Sequence, residues 1–132
     1  MKNYNLDETY IINPQKESAL SAKQVTVSYG TNHVIHAADL NFPRYKITSL
    51  IGASGSGKST YLRCFNRMND KIATVGGQIM YRDTDINNPK INVYELRRHI
   101  GMVFQRPNPF AKSIRENLTF ALKKNGMTDK DE

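Results

Sequence analysis

The segment IGASGSGKST, residues 51–60, constrains the fold of this 132-residue chain more than any other feature of the sequence. It has the spacing G-x-x-x-x-G-K-[ST], to which Gly52, Gly57, Lys58 and Ser59 contribute. A mostly apolar run precedes it, and a run with helical periodicity follows it. In this strand–loop–helix order, the spacing is typical of a loop that binds phosphate groups. The glycines let successive backbone N–H groups surround a phosphate, toward which the helix directs its positive end.

The rest of the sequence predicts strands and helices arranged around this loop. The runs at 47–53 and 100–104 are short and apolar, which is typical of strands buried on both faces of a parallel sheet. Ser113 and Glu116 form a capping box that predicts the start of the last helix, and Gly126 predicts its end. The predicted strands are 23–30, 33–42, 47–53, 76–83 and 100–104, and the predicted helices are 58–70, 91–99 and 114–125.

Length and composition limit the number of domains and the kinds of partner. We expect residues 1–21 to form a polar N-terminal extension and residues 22–132 to form the domain. The single cysteine, Cys64, excludes an internal disulfide, and no apolar run reaches the ~18 residues that a membrane span needs. The net charge of +7 fits a partner such as nucleotide phosphates, nucleic acid or an anionic membrane surface, and it equally fits a solvated basic surface, so charge alone does not decide between them.

Each polar residue of the loop has an expected task. We expect Lys58 to reach the β- and γ-phosphates, Ser59 to bind Mg²⁺ and Thr60 to reach the α-phosphate. In the free protein, the Lys58 ammonium is expected to lie near water with few contacts to lose. The candidate phosphate-binding residues are Gly52, Ala53, Ser54, Gly55, Ser56, Gly57, Lys58, Ser59 and Thr60.

Several motifs in this order resemble those of ATP-binding cassette (ABC) ATPases. The loop SGSGKST is similar to theirs, and Tyr29 in VTVSYG lies where they place an aromatic side chain on adenine. Gln105 in GMVFQRPNPF matches the glutamine of their Q-loop, which contacts Mg²⁺ and water. The segments LRCFNRMND and MVFQRPNPFAKSIRENL resemble the ATPase subunit of phosphate-import ABC transporters. The resemblance starts near Lys23 and departs at Ala111, where that subfamily usually has proline.

The resemblance implies a fold and a site chemistry. The fold is a P-loop NTPase of the ABC ATPase type, in the α/β class. It comprises an antiparallel N-terminal part and the starts of a parallel-sheet core and of a helical subdomain. The implied cofactors are ATP and Mg²⁺, with Lys58 and Gln105 as catalytic residues, Ser59 and Gln105 as metal ligands and Tyr29 as the adenine contact.

The resemblance also implies a function, namely an ABC importer subunit that couples ATP binding and hydrolysis to uptake of inorganic phosphate. Its partners would be a second copy of the subunit, in a homodimer across ATP, and transmembrane permease subunits that contact the Q-loop region. No nucleic acid is expected, and the location would be cytoplasmic, peripheral on the inner face of the cell membrane. Two alternatives stay open: a non-catalytic ATP-binding module, and a nucleic-acid-associated P-loop ATPase suggested by the basic charge.

Three parts of the family's catalytic site are not found in the sequence: the signature loop, the Asp-Glu pair and the switch histidine. By the resemblance they follow residue 132, so we expect this chain to be the N-terminal portion and to be inactive alone. GGQ at 76–78 is similar to the end of the L-S-G-G-Q signature, but Val75 replaces the serine and a strand-like run follows. We interpret it as a turn into a strand. Thr128 and Asp131 resemble the cap of a further helix.

Two other features have simpler interpretations. Cys64 falls on the apolar face of the helix predicted at 58–70, which indicates a buried structural thiol. Arg97, Arg98 and His99 form a basic cluster that is expected to be a solvated helix end.

Overall fold

A computed structural model of the chain describes residues 18–126. The chain divides into two compact units, of which the first ends at Gly101 and the second begins at Met102. The strands are β1 (Ser18–Tyr29), β2 (Asn32–Pro43), β3 (Thr74–Tyr81) and β4 (Thr84–Asp85), and the helices are α1 (Lys58–Cys64), α2 (Val93–His99) and α3 (Ile114–Lys124).

The four strands form one antiparallel sheet in the order β2-β1-β3-β4. Strands β1 and β2 form a hairpin in which Tyr29 pairs with Asn32. Gly30 lies in the turn with a φ of 58°, a left-handed conformation that glycine adopts without steric cost. This sheet confirms the antiparallel N-terminal part. Strand β1 begins at Ser18 and so includes residues 18–21, which the sequence analysis placed in the extension.

A β-bulge at Gln24 sets which residues of β1 face the core. The register shifts after Ala22 against β2 and after Lys23 against β3, so one extra residue of β1 is accommodated on both sides. Gln24 has a φ of 52°, and its backbone N–H donates to the carboxylate of Asp39 on β2. In a regular strand, residues three positions apart face opposite sides of the sheet. Because the bulge adds one residue, Ala22 and Val25 are both buried.

The core lies where α1 and α2 contribute buried side chains to those of the sheet. Phe65 makes edge-to-face contacts with Phe42 of β2 and Tyr61 of α1, at centroid distances of 4.8 and 5.2 Å. The Tyr61 hydroxyl donates to the backbone oxygen of Ala38 at 3.3 Å, which ties α1 to β2. The buried core residues are Ala22, Val25, Val27, Tyr61, Cys64, Phe65, Ile79, Ile86 and Leu96.

The prediction of two buried strands, at 47–53 and 100–104, is wrong. Residues 47–53 and 100–104 are irregular, and Ile47, Ile51 and Val103 are 97%, 95% and 99% exposed. A strand buried on both faces is stable only where neighbouring strands pair with its backbone groups and other elements cover it. Within residues 18–126 the sheet strands pair with one another, and none pairs with these two segments.

The other predictions are confirmed with shifted boundaries. The helix predicted at 58–70 ends at Cys64, because Arg67 and Lys71 adopt left-handed backbone conformations in the turns that follow. The helix predicted at 91–99 begins at Val93, where the Asn92 side chain caps it.

In the second unit, α3 begins and ends as predicted. Ser113 and Glu116 form a capping box, and Gly126, with a φ of 89°, follows the last turn. Its apolar residues Ile114 and Leu118 are 83% and 74% exposed. The cap predicted at Thr128 and Asp131 lies outside the described residues. Over residues 18–126, the helices are too short or too polar to cross a membrane.

Candidate functional site

The glycine-rich loop turns sharply and leads directly into α1. Gly55 and Gly57 have φ values of 80° and 92°, and the Ser56 N–H donates to the backbone oxygen of Ala53 at 3.3 Å. The Tyr61 N–H donates to the Gly57 oxygen at 2.8 Å and closes the first turn of the helix. The loop and the helix start are therefore one continuous hydrogen-bonded segment.

Gly57 also lies against strand β2. A Cβ atom at this position would be 2.6 Å from Cδ1 of Ile35 and 3.5 Å from Cγ1 of Val34. The left-handed backbone at position 57 favours glycine, and a larger residue would also have to displace the end of the Ile35 side chain. The end of the loop thus lies in contact with strand β2.

The Lys58 ammonium is already hydrogen-bonded within the loop. It donates to the backbone oxygens of Gly52 at 2.8 Å and Ala53 at 2.6 Å, and to the Ser56 hydroxyl at 3.3 Å. An ammonium group has three donors, and all three are used here. The expectation that Lys58 has few contacts to lose is therefore wrong, whereas its expected position near water agrees with the exposure of all three hydrogen bonds. An anion that binds to the Lys58 ammonium would therefore have to replace these hydrogen bonds.

The amino end of α1 differs from those of the other two helices. Its N-cap, Gly57, offers no side-chain hydrogen bond, and its first turn has no acidic residue. Asn92 caps α2 and Ser113 caps α3, and each of those helices has a glutamate in its first turn. The first N–H groups of a helix have no partner within the helix, and within residues 18–126 those of α1 receive no side-chain cap from Gly57.

Tyr29 lies at the end of β1, next to the hairpin turn. It is half-buried and packs against the core cluster. Part of its ring therefore serves the core, and contact with an adenine ring stays a prediction.

Gln105 lies in the second unit, in an exposed irregular segment that precedes two prolines. Its proposed contact with Mg²⁺ stays a prediction.

Sequence reasoning missed Asn117, which fixes the end of the irregular segment that contains Gln105. The Asn117 side chain accepts from the Phe110 N–H at 2.8 Å and donates to the Phe110 oxygen at 3.2 Å. An asparagine within the first turns of a helix is the only signal for this role in the sequence.

The basic cluster on α2 is only partly solvated. Arg97 donates to the backbone oxygens of Asn66 at 3.0 Å and Arg67 at 2.9 Å, so it caps the turns that follow α1. Arg98 and His99 lie 3.1 and 3.4 Å from the Glu95 carboxylate. The interpretation as a solvated helix end is therefore wrong for Arg97, because its guanidinium donates to backbone oxygens of those turns.

Cys64 is confirmed as a buried structural residue. Its side chain is 1% exposed, and burial raises the pKa of the thiol. The thiol therefore stays protonated and has little nucleophilic character at neutral pH. Burial likewise raises the pKa of the neighbouring Tyr61 to about 12, so its hydroxyl stays a donor.

The GGQ segment belongs to β3, which begins two residues before it, at Thr74. Gly77 lies opposite the β1 bulge with a φ of 82°, and a Cβ there would be 2.3 Å from the backbone oxygen of Gln24. The segment is thus a strand that accommodates the bulge, rather than a turn before a strand.

Comparison with known proteins connects these features to a family. The ABC transporter family profile matches residues 35–132. The chain is 60% identical to phosphate import ATP-binding protein PstB 1 of Ligilactobacillus salivarius, over 97% of this chain and 49% of that protein. It is 61% identical to PstB 2 of Streptococcus pneumoniae, over 98% of this chain and 50% of that protein.

A third relative is PstB 1 of Lactiplantibacillus plantarum, 65% identical over 88% of this chain and 43% of that protein. The chain therefore spans about half the length of the curated relatives it matches. Since the family profile covers most of the chain and includes the whole glycine-rich loop, this protein belongs to the ABC transporter family.

Proposed function

We propose that this chain supplies the ATP-binding loop of an ABC importer subunit, which couples ATP binding and hydrolysis to uptake of inorganic phosphate. The observation that carries the proposal is the identity of about 60% to proteins named phosphate import ATP-binding proteins. The aligned regions cover 97–98% of the chain.

The loop suits the triphosphate of ATP for two reasons. The amino end of α1 has no side-chain cap, so its N–H groups and its partial positive charge are available to phosphate oxygens. The Lys58 ammonium lies inside the loop on the oxygens of Gly52 and Ala53, where the phosphates would be bound. On binding, we expect Lys58 to exchange these oxygens for the more strongly charged ones of the β- and γ-phosphates.

The remaining contacts follow from the family resemblance and are part of the proposal. The Ser59 hydroxyl and the Gln105 carboxamide would hold Mg²⁺, which when bound would neutralise charge on the β- and γ-phosphates. The Thr60 hydroxyl would reach the α-phosphate, and the Tyr29 ring would stack on adenine. Ser59 is exposed at the start of α1, which leaves its hydroxyl free to bind an ion.

The same proposal includes partners and a location. A second copy of the subunit would complete each ATP site, and permease subunits would contact the segment around Gln105. The subunit would then lie on the inner face of the cell membrane. The names of the relatives support these partners and this location, because an ATPase that drives import acts together with a membrane-embedded transport pathway.

The experiment that tests the proposal begins with the gene. Reading it beyond codon 132 should give in-frame codons for the signature loop and the Asp-Glu pair. A stop codon directly after Glu132 would instead favour the non-catalytic ATP-binding module. The whole gene product should restore uptake of labelled phosphate to a host that lacks its own phosphate import ATPase, and Lys58→Ala should abolish that uptake. Uptake that is independent of Lys58 would contradict the proposal.

A further inference from the structure

We propose that Asn69, which contacts neither phosphate nor metal, is a positioning residue for the glycine-rich loop. The inference rests on the proposed function, because the loop matters only if it binds a nucleotide. Its basis is a partly buried hydrogen bond between the turns that follow α1 and the first turn of α1.

The Asn69 side chain reaches back to the start of the helix. It is fully buried, and its Nδ2 donates to the backbone oxygen of Thr60 at 2.8 Å and to Sγ of Cys64 at 3.1 Å. Thr60 is the last residue of the candidate phosphate-binding loop and lies in the first turn of α1. The bond therefore acts on the segment that would hold the phosphates.

The backbone of Asn69 is hydrogen-bonded to the turn that leads into strand β3. Its oxygen accepts from the N–H groups of Ile72 at 3.1 Å and Ala73 at 3.0 Å, and strand β3 begins at the next residue, Thr74. The side chain thus connects the turn that leads into β3 with the start of α1. A helix of seven residues is not stable in isolation, so such tertiary contacts decide where its amino end lies.

Packing alone does not account for an asparagine at this position. The Asn69 Oδ1 atom is buried and has no hydrogen-bond partner within residues 18–126. Burial of an unpaired oxygen lowers stability, and a leucine of similar size would avoid that cost. We infer that the Nδ2 donor is what position 69 requires, and that its benefit is the placement of the loop rather than overall stability.

The test uses Asn69→Leu, which keeps the volume but removes the donor. Its matched control is Asn66→Leu. Asn66 is also an asparagine with a buried Oδ1 that has no partner among the described residues, whereas the side chains that donate to the Thr60 oxygen within residues 18–126 are those of Asn69 and Cys64. The ¹⁵N-labelled 132-residue chain is compared by amide hydrogen exchange without ligand and by titration with MgATP.

In the free chain, the Tyr61 N–H is the reporter because it joins the helix to the loop at Gly57. Asn69→Leu should raise its exchange rate by about two- to tenfold relative to amides of β1 and β3, the range expected for one hydrogen bond. It should weaken MgATP binding by a similar factor, with little change in the midpoint of urea unfolding. Asn66→Leu should leave both the Tyr61 exchange rate and the MgATP affinity at wild-type values.

The inference is overturned if Asn69→Leu leaves Tyr61 exchange unchanged, or if both variants change it equally. If wild-type protein gives no response to MgATP, the proposed function fails for this chain, and the exchange comparison still decides the role of Asn69. If Asn69→Leu does not fold, Asn69→Ser is measured in the same way. In wild-type protein, the Asn69 carboxamide protons should exchange more slowly than those of the exposed Asn88, and equal rates would contradict the bond itself.

Discussion

Replacement of Gly77 by alanine should destabilise the first unit strongly, because backbone atoms surround the site of the new methyl group. A Cβ at Gly77 would lie 2.3 Å from the oxygen and 2.6 Å from the carbonyl carbon of Gln24, and 2.7 Å from the oxygen of Lys23. These atoms belong to the β1 bulge and cannot rotate away as a side chain can. The φ of 82° adds strain for any residue other than glycine.

The magnitude follows from these two costs. A left-handed backbone costs a non-glycine residue about 1–2 kcal/mol, and overlap with a fixed environment costs about 1–3 kcal/mol. We therefore expect Gly77→Ala to lower the free energy of unfolding by about 2–5 kcal/mol, a large share of the ~5–15 kcal/mol of a typical domain. Urea unfolding followed by circular dichroism measures this difference.

Gly30→Ala is the matched control. Gly30 also has a left-handed φ, of 58°, but a Cβ there would meet no atom within 4 Å. Its replacement should cost only the backbone term of about 1–2 kcal/mol. Equal destabilisation by the two variants would refute the argument from overlap with the bulge. If Gly77 served a ligand instead, Gly77→Ala would change nucleotide affinity without changing the unfolding curve.

Three further predictions concern the site and the second unit. Tyr29→Ala should weaken binding of ATP and of GTP by about 1–3 kcal/mol in calorimetric titrations, since stacking reads no base edge; a loss of thermal stability at unchanged affinity would show a core role alone. The Ser113 hydroxyl and N–H lower the pKa of Glu116 below its ordinary 4.5. The capping box should therefore support α3 above pH 4.5 and weaken as the pH falls through the lowered pKa. The NMR signals of α3 should show this weakening in wild type, and a similar loss in Glu116→Gln would contradict the prediction. Phosphate release by the 132-residue chain should stay at the level of its Lys58→Ala control.

The sequence predicted the loop and the elements whose determinants are local. Two of these determinants are the spacing of Gly52, Gly57 and Lys58 in the loop and the capping pair Ser113 and Glu116. Each acts within a few residues, so neighbouring residues in the sequence set the conformation. The first strand was also predicted, at 23–30, and β1 contains all of this range except Gly30.

The parts that were missed depend on distant residues. The apolar run at 47–53 has the composition of a strand, yet a strand forms only with a pairing partner, which periodicity does not reveal. The bulge at Gln24 needs the absence of a side chain at Gly77, 53 positions later in the chain. The bonds from Asn69 to Thr60 and from Arg97 to Asn66 likewise join turns that no local pattern connects.

The central claim is that the loop at 52–60 binds the phosphates of ATP, with Lys58 as the principal charge. The most direct test is a titration of the ¹⁵N-labelled chain with MgATP, followed through the amide signals of Gly55, Gly57 and Ser59. We expect those signals to shift and the affinity to fall by about 1.5–3 kcal/mol in Lys58→Ala, the value of a charge-assisted bond. Lys46→Ala, which removes an exposed lysine just before the loop, should bind as wild type does. Equal affinity of wild type and Lys58→Ala, or shifts confined to other parts of the chain, would contradict the account.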